Sequence, residues 1–265
     1  MLKKIINYIV KYLPESNKIE RIWILAKSNF RKRYYGSSLG IIWALINPLF
    51  LLVIYYFIFN VIFNNQIENF ILYMFSGFLI WMFFEEASKE GLNTITTNRY
   101  LIENIRINKL DIYLAGLLSK LFAFIFNIFA YILTSLLFNI HYSSNVLFLP
   151  IFILNLLILS LGISLIISII SIYLKDFNHF WDLFILALFW LNPIFYSELI
   201  LYQTYKIILY LNPVAGIIIN TRNVLLNGVS PDFNLLVINF CQAIIILILG
   251  LIINKKHFSK VIEIL

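Results

Sequence analysis

Four stretches of this chain, residues 41–63, 121–138, 151–174 and 235–253, are apolar almost without interruption. A helix needs roughly 17 to 25 such residues to cross a hydrocarbon core, and each stretch is long enough. Two shorter apolar runs flanked by aromatics, 70–84 and 180–196, bring the simplest count to six spans. Composition agrees: 62% of residues are hydrophobic, 12% are charged and the mean hydropathy is +0.90. Soluble globular domains do not have that balance. The expected fold is an all-α integral membrane protein.

Lysine and arginine set the orientation, because they stay on the cytoplasmic side of short loops. Of the 20, nine lie in residues 1–40, five in 89–120, one at Lys175 and three at Lys255, Lys256 and Lys260. With six spans and an inner N-terminus, only Lys206 and Arg222 fall outside. Both termini are therefore expected in the cytoplasm. The net charge of +7 sits in juxtamembrane segments rather than on a soluble basic domain. That favours membrane lipid or an anionic headgroup as partner over nucleic acid. The single cysteine, Cys241, lies inside the last apolar run and has no partner in the chain.

The polar segments divide the chain. Residues 1–40 form an amphipathic interface segment, 41–253 the bilayer domain and 254–265 a cytoplasmic tail. Near the N-terminus Leu2, Ile5, Ile6, Ile9 and Leu13 share one helical face. After Pro14 a second stripe follows: Ile19, Ile22, Trp23, Ala26 and Phe30, with Lys18, Arg21, Lys27 and Arg31 on the wet side. This spacing predicts helices lying in the membrane interface. Residues 85–111 are the longest inner polar segment, read either as a solvated loop or, from the apolar group Leu101, Ile102 and Ile105 inside it, as a helix that touches another protein. Between 197 and 228, two apolar pieces split by Asn212-Pro213 are too short to cross. Such pieces predict a re-entrant helical hairpin.

Catalytic constellations are missing. None of the nine glycines has another five positions on, so there is no phosphate-binding P-loop. His141, His179 and His257 are scattered without ligand spacing, and no metal site is expected. Among carboxylates only Glu85, Glu86 and Glu90 cluster, and pairing with nearby Lys or Arg is the simpler role for them. The spans carry almost no ionisable groups, which argues against ion coupling. Lys120 and Asp182 lie near predicted inner ends, where snorkelling accounts for them. No filter-like segment suggests a channel. Energy, if used, has to come from a partner.

Aromatic residues are abundant: Tyr55, Tyr56, Phe57 and Phe59 in the first span, and Phe184, Phe189, Trp190, Phe195 and Tyr196 in the fifth. Two readings stand side by side. The rings form interfacial belts and bundle packing, or some of them line a path along which sugar rings stack. Pro48 and Pro193 are expected to kink these two helices. The basic run before the first span also has two readings. Arg31, Lys32 and Arg33 anchor the inner side, or Arg31 and Arg33 contact a phosphate at a substrate entrance framed by Tyr34 and Tyr35. Gly36, Ser37, Ser38 and Gly40 would let the chain turn tightly there.

The segments "RKRYYGSSLGIIWALINPL", "SGFLIWMFFEEA", "NRYLIENIRINKLDIYLAGLL", "YLKDFNHFWDLF", "NPIFYS" and "LNPVAGIIINTRNVLLNG" together resemble type-2 ABC transporter permeases over residues 23–256. Within that family the segments look like the membrane subunit of exporters of O-antigen, capsule or teichoic acid. The resemblance implies a homodimer of six-span subunits and a separate cytoplasmic ATPase that binds ATP and Mg; this chain holds no cofactor of its own. It implies an ATPase-coupling surface at Asn98, Arg99, Tyr100, Leu101, Glu103 and Arg106 within 85–111, and gate helices in 197–228 that include Pro213 and Arg222. It also implies a conduit for a polyprenyl-pyrophosphate-linked glycan, lined by Tyr55, Tyr56, Phe59, Phe189, Trp190 and Tyr196, in the cytoplasmic membrane of a bacterium or archaeon. Many relatives carry a Phe-Pro-Arg-like sequence where this chain reads "IRINKLD". Export of a drug or simple lipid, and a membrane-bound glycan-modifying enzyme, are the alternatives.

Overall fold

The computed structural model describes residues 18–34, 40–64, 67–104, 107–203 and 205–264. The stripe at 2–13, Tyr35, Gly36 to Ser38, Ile105 and Arg106 lie outside the described residues, as does the side chain of Tyr34.

All described secondary structure is helical. Helix α1 (Lys18–Tyr34) precedes a short turn of helix at Gly40–Ile42 and α2 (Trp43–Tyr56), which runs on as a π-helical turn, Phe57–Ile62. Then come α3 (Phe70–Thr97), the short α4 (Arg99–Asn104), α5 (Lys109–Leu137), α6 (Leu149–Tyr173) and α7 (Phe177–Leu191). Three short helices, α8 (Leu199–Gln203), α9 (Lys206–Leu211) and α10 (Pro213–Leu225), lead to the final α11 (Phe233–Ile264).

Five helical stretches are long and apolar enough to cross a bilayer. Helix α7 is apolar but has only 15 residues, about 22 Å at 1.5 Å per residue. The chain beyond it is irregular yet packed: Asn192, Pro193, Ile194 and Phe195 are all buried. Such backbone at membrane depth survives only when shielded by protein. Pro193 therefore does not kink a helix, contrary to the expectation. Helix α7 stops at Leu191 and Asn192 is already extended (ψ 141°), the conformation that a following proline imposes. Pro48, by contrast, lies inside α2.

Helix α3 is the central pillar. Its most apolar window is 78% buried, against 17% for both the first stretch, Gly40–Ile62, and α11. It does not end where the apolar run ends at Phe84 but continues through 85–97, so only residues 98–108 form the connection to α5. The polar extension is helical because its side chains bond along the helix: Lys89 to Glu85 at 2.8 Å, and Thr94 Oγ1 donating to the Glu90 carbonyl at 2.8 Å. Helices α6 and α11 cross at glycine. A Cβ on Gly162 would come within 2.7 Å of the Leu247 backbone, and one on Gly250 within 2.6 Å of the Gly162 carbonyl. Small residues that allow this approach are how membrane helices pack when hydrophobicity alone supplies no preference.

Helix α1 lies against the basic end of α5. Ala26 is fully buried against the cluster containing Ala115, and Phe30 and Trp23 set their rings edge-on to Phe122 at 5.7 and 5.3 Å. The stripe seen in the sequence is only partly the packed one, since Ile19 is 86% exposed. Arg21, expected on the wet side, turns inward. Its Nε donates to Asp111 Oδ2 at 3.1 Å, Lys18 lies 3.7 Å from the same carboxylate, and Asp111 is fully buried at the start of α5.

Candidate functional site

Helices α2, α3 and α7 present matching stripes at helical spacing, and the three stripes meet. From α3 come Phe78, Trp81, Met82 and Glu85; from α7 Asp182, Ile185 and Phe189; from α2 Asn47, Leu51 and Tyr55. Between them run two adjoining clefts of about 510 and 490 Å³ that share Leu51, Phe78, Glu85 and Lys89. Together they form a groove whose middle is aromatic and whose end near α1 is charged. We call that end the basic end and the other, beside the short helices α8 to α10 that we refer to together as the hairpin, the hairpin end.

The aromatic middle is one connected cluster. The Tyr55 ring lies 5.7 Å from Phe78 and 4.9 Å from Phe195, and Phe189 lies 5.6 Å from Trp81 and 5.4 Å from Phe195. At the hairpin end Phe59, in the π-helical turn, stacks flat on Phe195 with centroids 4.5 Å apart. Trp190 joins through Phe195 at 5.8 Å and is half exposed. Of the six expected rings, Tyr55 and Phe189 line the second of the two clefts, and Tyr56 and Tyr196 are engaged elsewhere. Tyr56 accepts a hydrogen bond from Asn60, and Tyr196 donates to the Leu191 carbonyl while packing with the cluster under the hairpin.

At the basic end the charges are paired across helices. Lys89 on α3 lies 2.8 Å from Glu85 and 3.6 Å from Asp182 on α7, and Trp81 Nε1 donates to Glu85 at 3.1 Å. Arg33, at the end of α1, grips both oxygens of Glu86. The two arginines proposed for phosphate are thus in different situations. Arg33 is engaged with Glu86, whereas Arg31 is exposed and, with Lys27, Ser28 and Lys32, borders a separate open depression of about 570 Å³. Lys120, expected to snorkel, pairs with Glu90 at 3.2 Å.

The residues proposed for coupling surround the α3–α5 connection. Asn98 caps α3, its side-chain amide donating to the Thr94 carbonyl at 2.8 Å. Arg99 and Glu103 pair at 2.7 Å across one turn of α4, and Tyr100 is 73% exposed. Leu101 is half-buried, its neighbour Ile102 packs on a small core beneath, and Arg106 lies outside the described residues. This leaves α4 as a short amphipathic helix with one face free.

The hairpin end holds a fully buried charge. Arg222 on α10 has no exposed surface. Its Nη1 donates to Glu198 at 2.9 Å, its Nη2 to the carbonyls of Tyr73 (3.2 Å) and Pro193 (2.8 Å), and its Nε to Tyr73 again at 3.3 Å. The guanidinium lies 3.4 Å from the Tyr73 ring centroid. The Tyr73 hydroxyl donates to the Tyr196 carbonyl at 2.8 Å and to Glu198. Gly77 makes the seat, since a Cβ there would stand 3.0 Å from Arg222 Nη2. Pro213 is the first residue of α10, capped by Asn212, whose amide also bonds Asn192 at 3.1 Å. On its other side the hairpin is tied to α11: Tyr202 donates to Asp232 at 3.0 Å, and the Asp232 amide donates to Asn220 at 2.7 Å. Burial and the Asp232 carboxylate raise the Tyr202 hydroxyl above its ordinary range.

The family resemblance puts Arg222 in a gate helix but does not single out Glu198, Tyr73 or Gly77. A usable signal was present. Arg222 is one of two cations on its side, and a buried arginine needs a carboxylate, of which that region has few. Among the described residues no cluster of His, Cys, Asp and Glu suited to a metal occurs.

Residues 20–226 match the family described as ABC-2 type transporter. Among curated proteins, the chain is 27% identical over 243 residues to an O-antigen export system permease protein RfbA of Klebsiella pneumoniae, covering 91% of this chain and 93% of that one. A second Klebsiella pneumoniae protein of the same name is 26% identical over the same shares. The Myxococcus xanthus protein of that name is 23% identical over 210 residues, covering 78% and 81%.

Proposed function

Given that the chain belongs to the ABC-2 type transporter family, we propose that it is the membrane permease subunit of an ATP-driven exporter of a lipid-linked polysaccharide, of the O-antigen, capsule or teichoic-acid type. The carrying observation is the groove between α2 and α7. It is aromatic in its middle, charged at one mouth, and flanked by the mostly exposed face of α2. Aromatic faces stack on sugar rings whatever the sequence of the polymer, which suits a sliding glycan. The names of the relatives favour O-antigen as the cargo class.

In this reading two copies of the chain face each other across the exposed surface of α2 and close the two grooves into one conduit. The basic end is cytoplasmic, and the short α7 with its buried continuation completes a sixth span of a protein in the bacterial or archaeal cytoplasmic membrane. A separate ABC ATPase binds ATP and Mg and docks on the free face of α4. The polyprenyl-pyrophosphate group of the substrate meets the exposed cations Lys27, Arg31 and Lys32, because arginine holds a phosphate through paired N–H donors.

Co-reconstitution with the ATPase tests this. The expected outcome is ATP-dependent movement of a polyprenyl-pyrophosphate-linked glycan across the vesicle membrane, and a clear loss of rate in Lys27→Ala/Arg31→Ala, which leaves the Arg33–Glu86 pair in place, with insertion and ATPase assembly intact. ATP hydrolysis that moves a simple lipid or a drug but no lipid-linked glycan would sink the cargo assignment. Unchanged export in the double variant would sink the phosphate role.

A further inference from the structure

Arg222 has no exposed surface and is bonded to three segments at once. It reaches α3 through the Tyr73 carbonyl, the end of α7 through the Pro193 carbonyl, and the start of the hairpin through Glu198. A guanidinium offers five donors in a rigid fork, and this site uses the fork to hold two carbonyls and a carboxylate in a fixed arrangement. The Pro193 carbonyl is the informative partner. It lies two residues before Phe195, the ring that stacks on Phe59 and touches Tyr55 and Phe189 at the hairpin end of the groove. Fixing Pro193 fixes where Phe195 stands. The opposing ring, Phe59, sits in a π-helical turn, a local irregularity that recurs at functional sites.

We propose that Arg222 is a positioning residue for the closed state of the groove: it seats Pro193 against α3 so that Phe195 closes on Phe59 and Tyr55, and the groove opens toward the hairpin when the Arg222–Glu198 contact breaks. This rests on the reading of the groove as a conduit. Glu198 is the release element, because it is the only one of the three partners on a side chain that can turn away; its side chain is 17% exposed, while that of Arg222 is 0%. Gly77 belongs to the same device. Without a side chain it lets the guanidinium lie flush on α3, and Ile194 packs there as well, its Cα 3.5 Å from where a Cβ would stand.

The test reads exposure directly and needs neither glycan nor ATPase, so its failure and a failure of the polysaccharide reading are separate events. In full-length protein in native membranes, with Cys241→Ser removing the natural thiol, a reporter is placed at the buried Ile194→Cys and a control at the buried Ser88→Cys in the basic half. A water-soluble maleimide should label Ile194→Cys slowly. Adding Glu198→Gln should raise that rate about tenfold, the factor that corresponds to losing roughly 1.4 kcal/mol from a charge-assisted contact. Arg222→Lys keeps a charge for Glu198 but loses the fork on the two carbonyls, so it should raise the rate as well. Gly77→Leu fills the seat without changing charge and should act the same way. The control at Ser88→Cys should not change in any of them. An unchanged rate at Ile194→Cys in all three variants overturns the proposal. So does full protection in Arg222→Lys, which would reduce the role to neutralising Glu198, and so does an equal rise at Ser88→Cys, which would mean general loosening.

Discussion

The two ends of the groove use the same chemistry, arginine or lysine against carboxylate, with opposite consequences. At the basic end Arg33–Glu86 and Lys89–Asp182 are partly exposed, their side chains showing 28 to 59% of their surface. At the hairpin end Arg222 shows none and spends its remaining donors on backbone carbonyls. Exposed pairs contribute little because water solvates either partner nearly as well when the other leaves. A buried pair cannot be dissolved one partner at a time without stranding a charge. The basic end is therefore built to let charges exchange partners, and the hairpin end to hold one arrangement until something breaks it.

The largest effect that this contrast predicts is at Arg222. Arg222→Leu strands Glu198 and two buried carbonyls, and should cost about 3–5 kcal/mol. Denaturation in mild detergent measures it, with hydrogen exchange expected to show the loss concentrated in residues 192–226. A cost below that of the basic-end variants would remove the contrast.

Asp111 is the intermediate case. It is buried, but its partners Arg21 and Lys18 are both partly exposed and can turn to water. Asp111→Asn should cost about 1.5–3 kcal/mol, the range for a hydrogen bond to a charged group. The damage should stay local: faster hydrogen exchange across residues 18–34 while 70–97 keeps its protection. Spread of the loss into α3 would mean that α1 is part of the core and not a strap on α5.

The outline of the fold was legible because membrane crossing is a demand on length and composition that single residues cannot hide. The long apolar runs became helices, and the Asn212-Pro213 break became the start of α10 with Asn212 as its cap. What escaped were relations between distant residues. Arg33 finds Glu86 53 positions away and Arg222 finds Tyr73 149 positions away, and only the packing of helices decides such pairs. Arg21 was assigned to water by helical periodicity, yet the buried Asp111 draws it inward, since one uncompensated carboxylate outweighs a helix's preferred wet face. Pro193 follows the end of a helix instead of kinking one, for a local reason. A proline after an asparagine can bend a helix or end one, and the irregular chain after Leu191 is tolerable only because the hairpin covers it.

Lys89 is where the comparison predicts the smallest change in stability and the sharpest change in behaviour. It stands between Glu85 and Asp182 on facing walls of the groove, and Glu85 keeps a second partner in Trp81. Lys89→Gln should alter stability by no more than about 0.5 kcal/mol, as for other exposed charge changes. Its electrostatic effect is larger, because Arg33 is matched by Glu86 and Lys89 is the cation facing the other two carboxylates. Removing it leaves the mouth with two uncompensated negative charges. A phosphate-bearing substrate entering there would be repelled, so the initial rate of ATP-driven glycan export should fall. Added salt should restore part of it, since the Debye length shrinks from about 30 Å at 0.01 M to about 8 Å at 0.15 M ionic strength. Asp182→Asn, which shifts the balance the other way, should not lower the rate and should show a weaker salt dependence. Equal rates for Lys89→Gln and the unaltered chain at low salt would mean that the cargo's charge does not pass this mouth, and that the exposed face of Lys27, Arg31 and Lys32 guides it by another route.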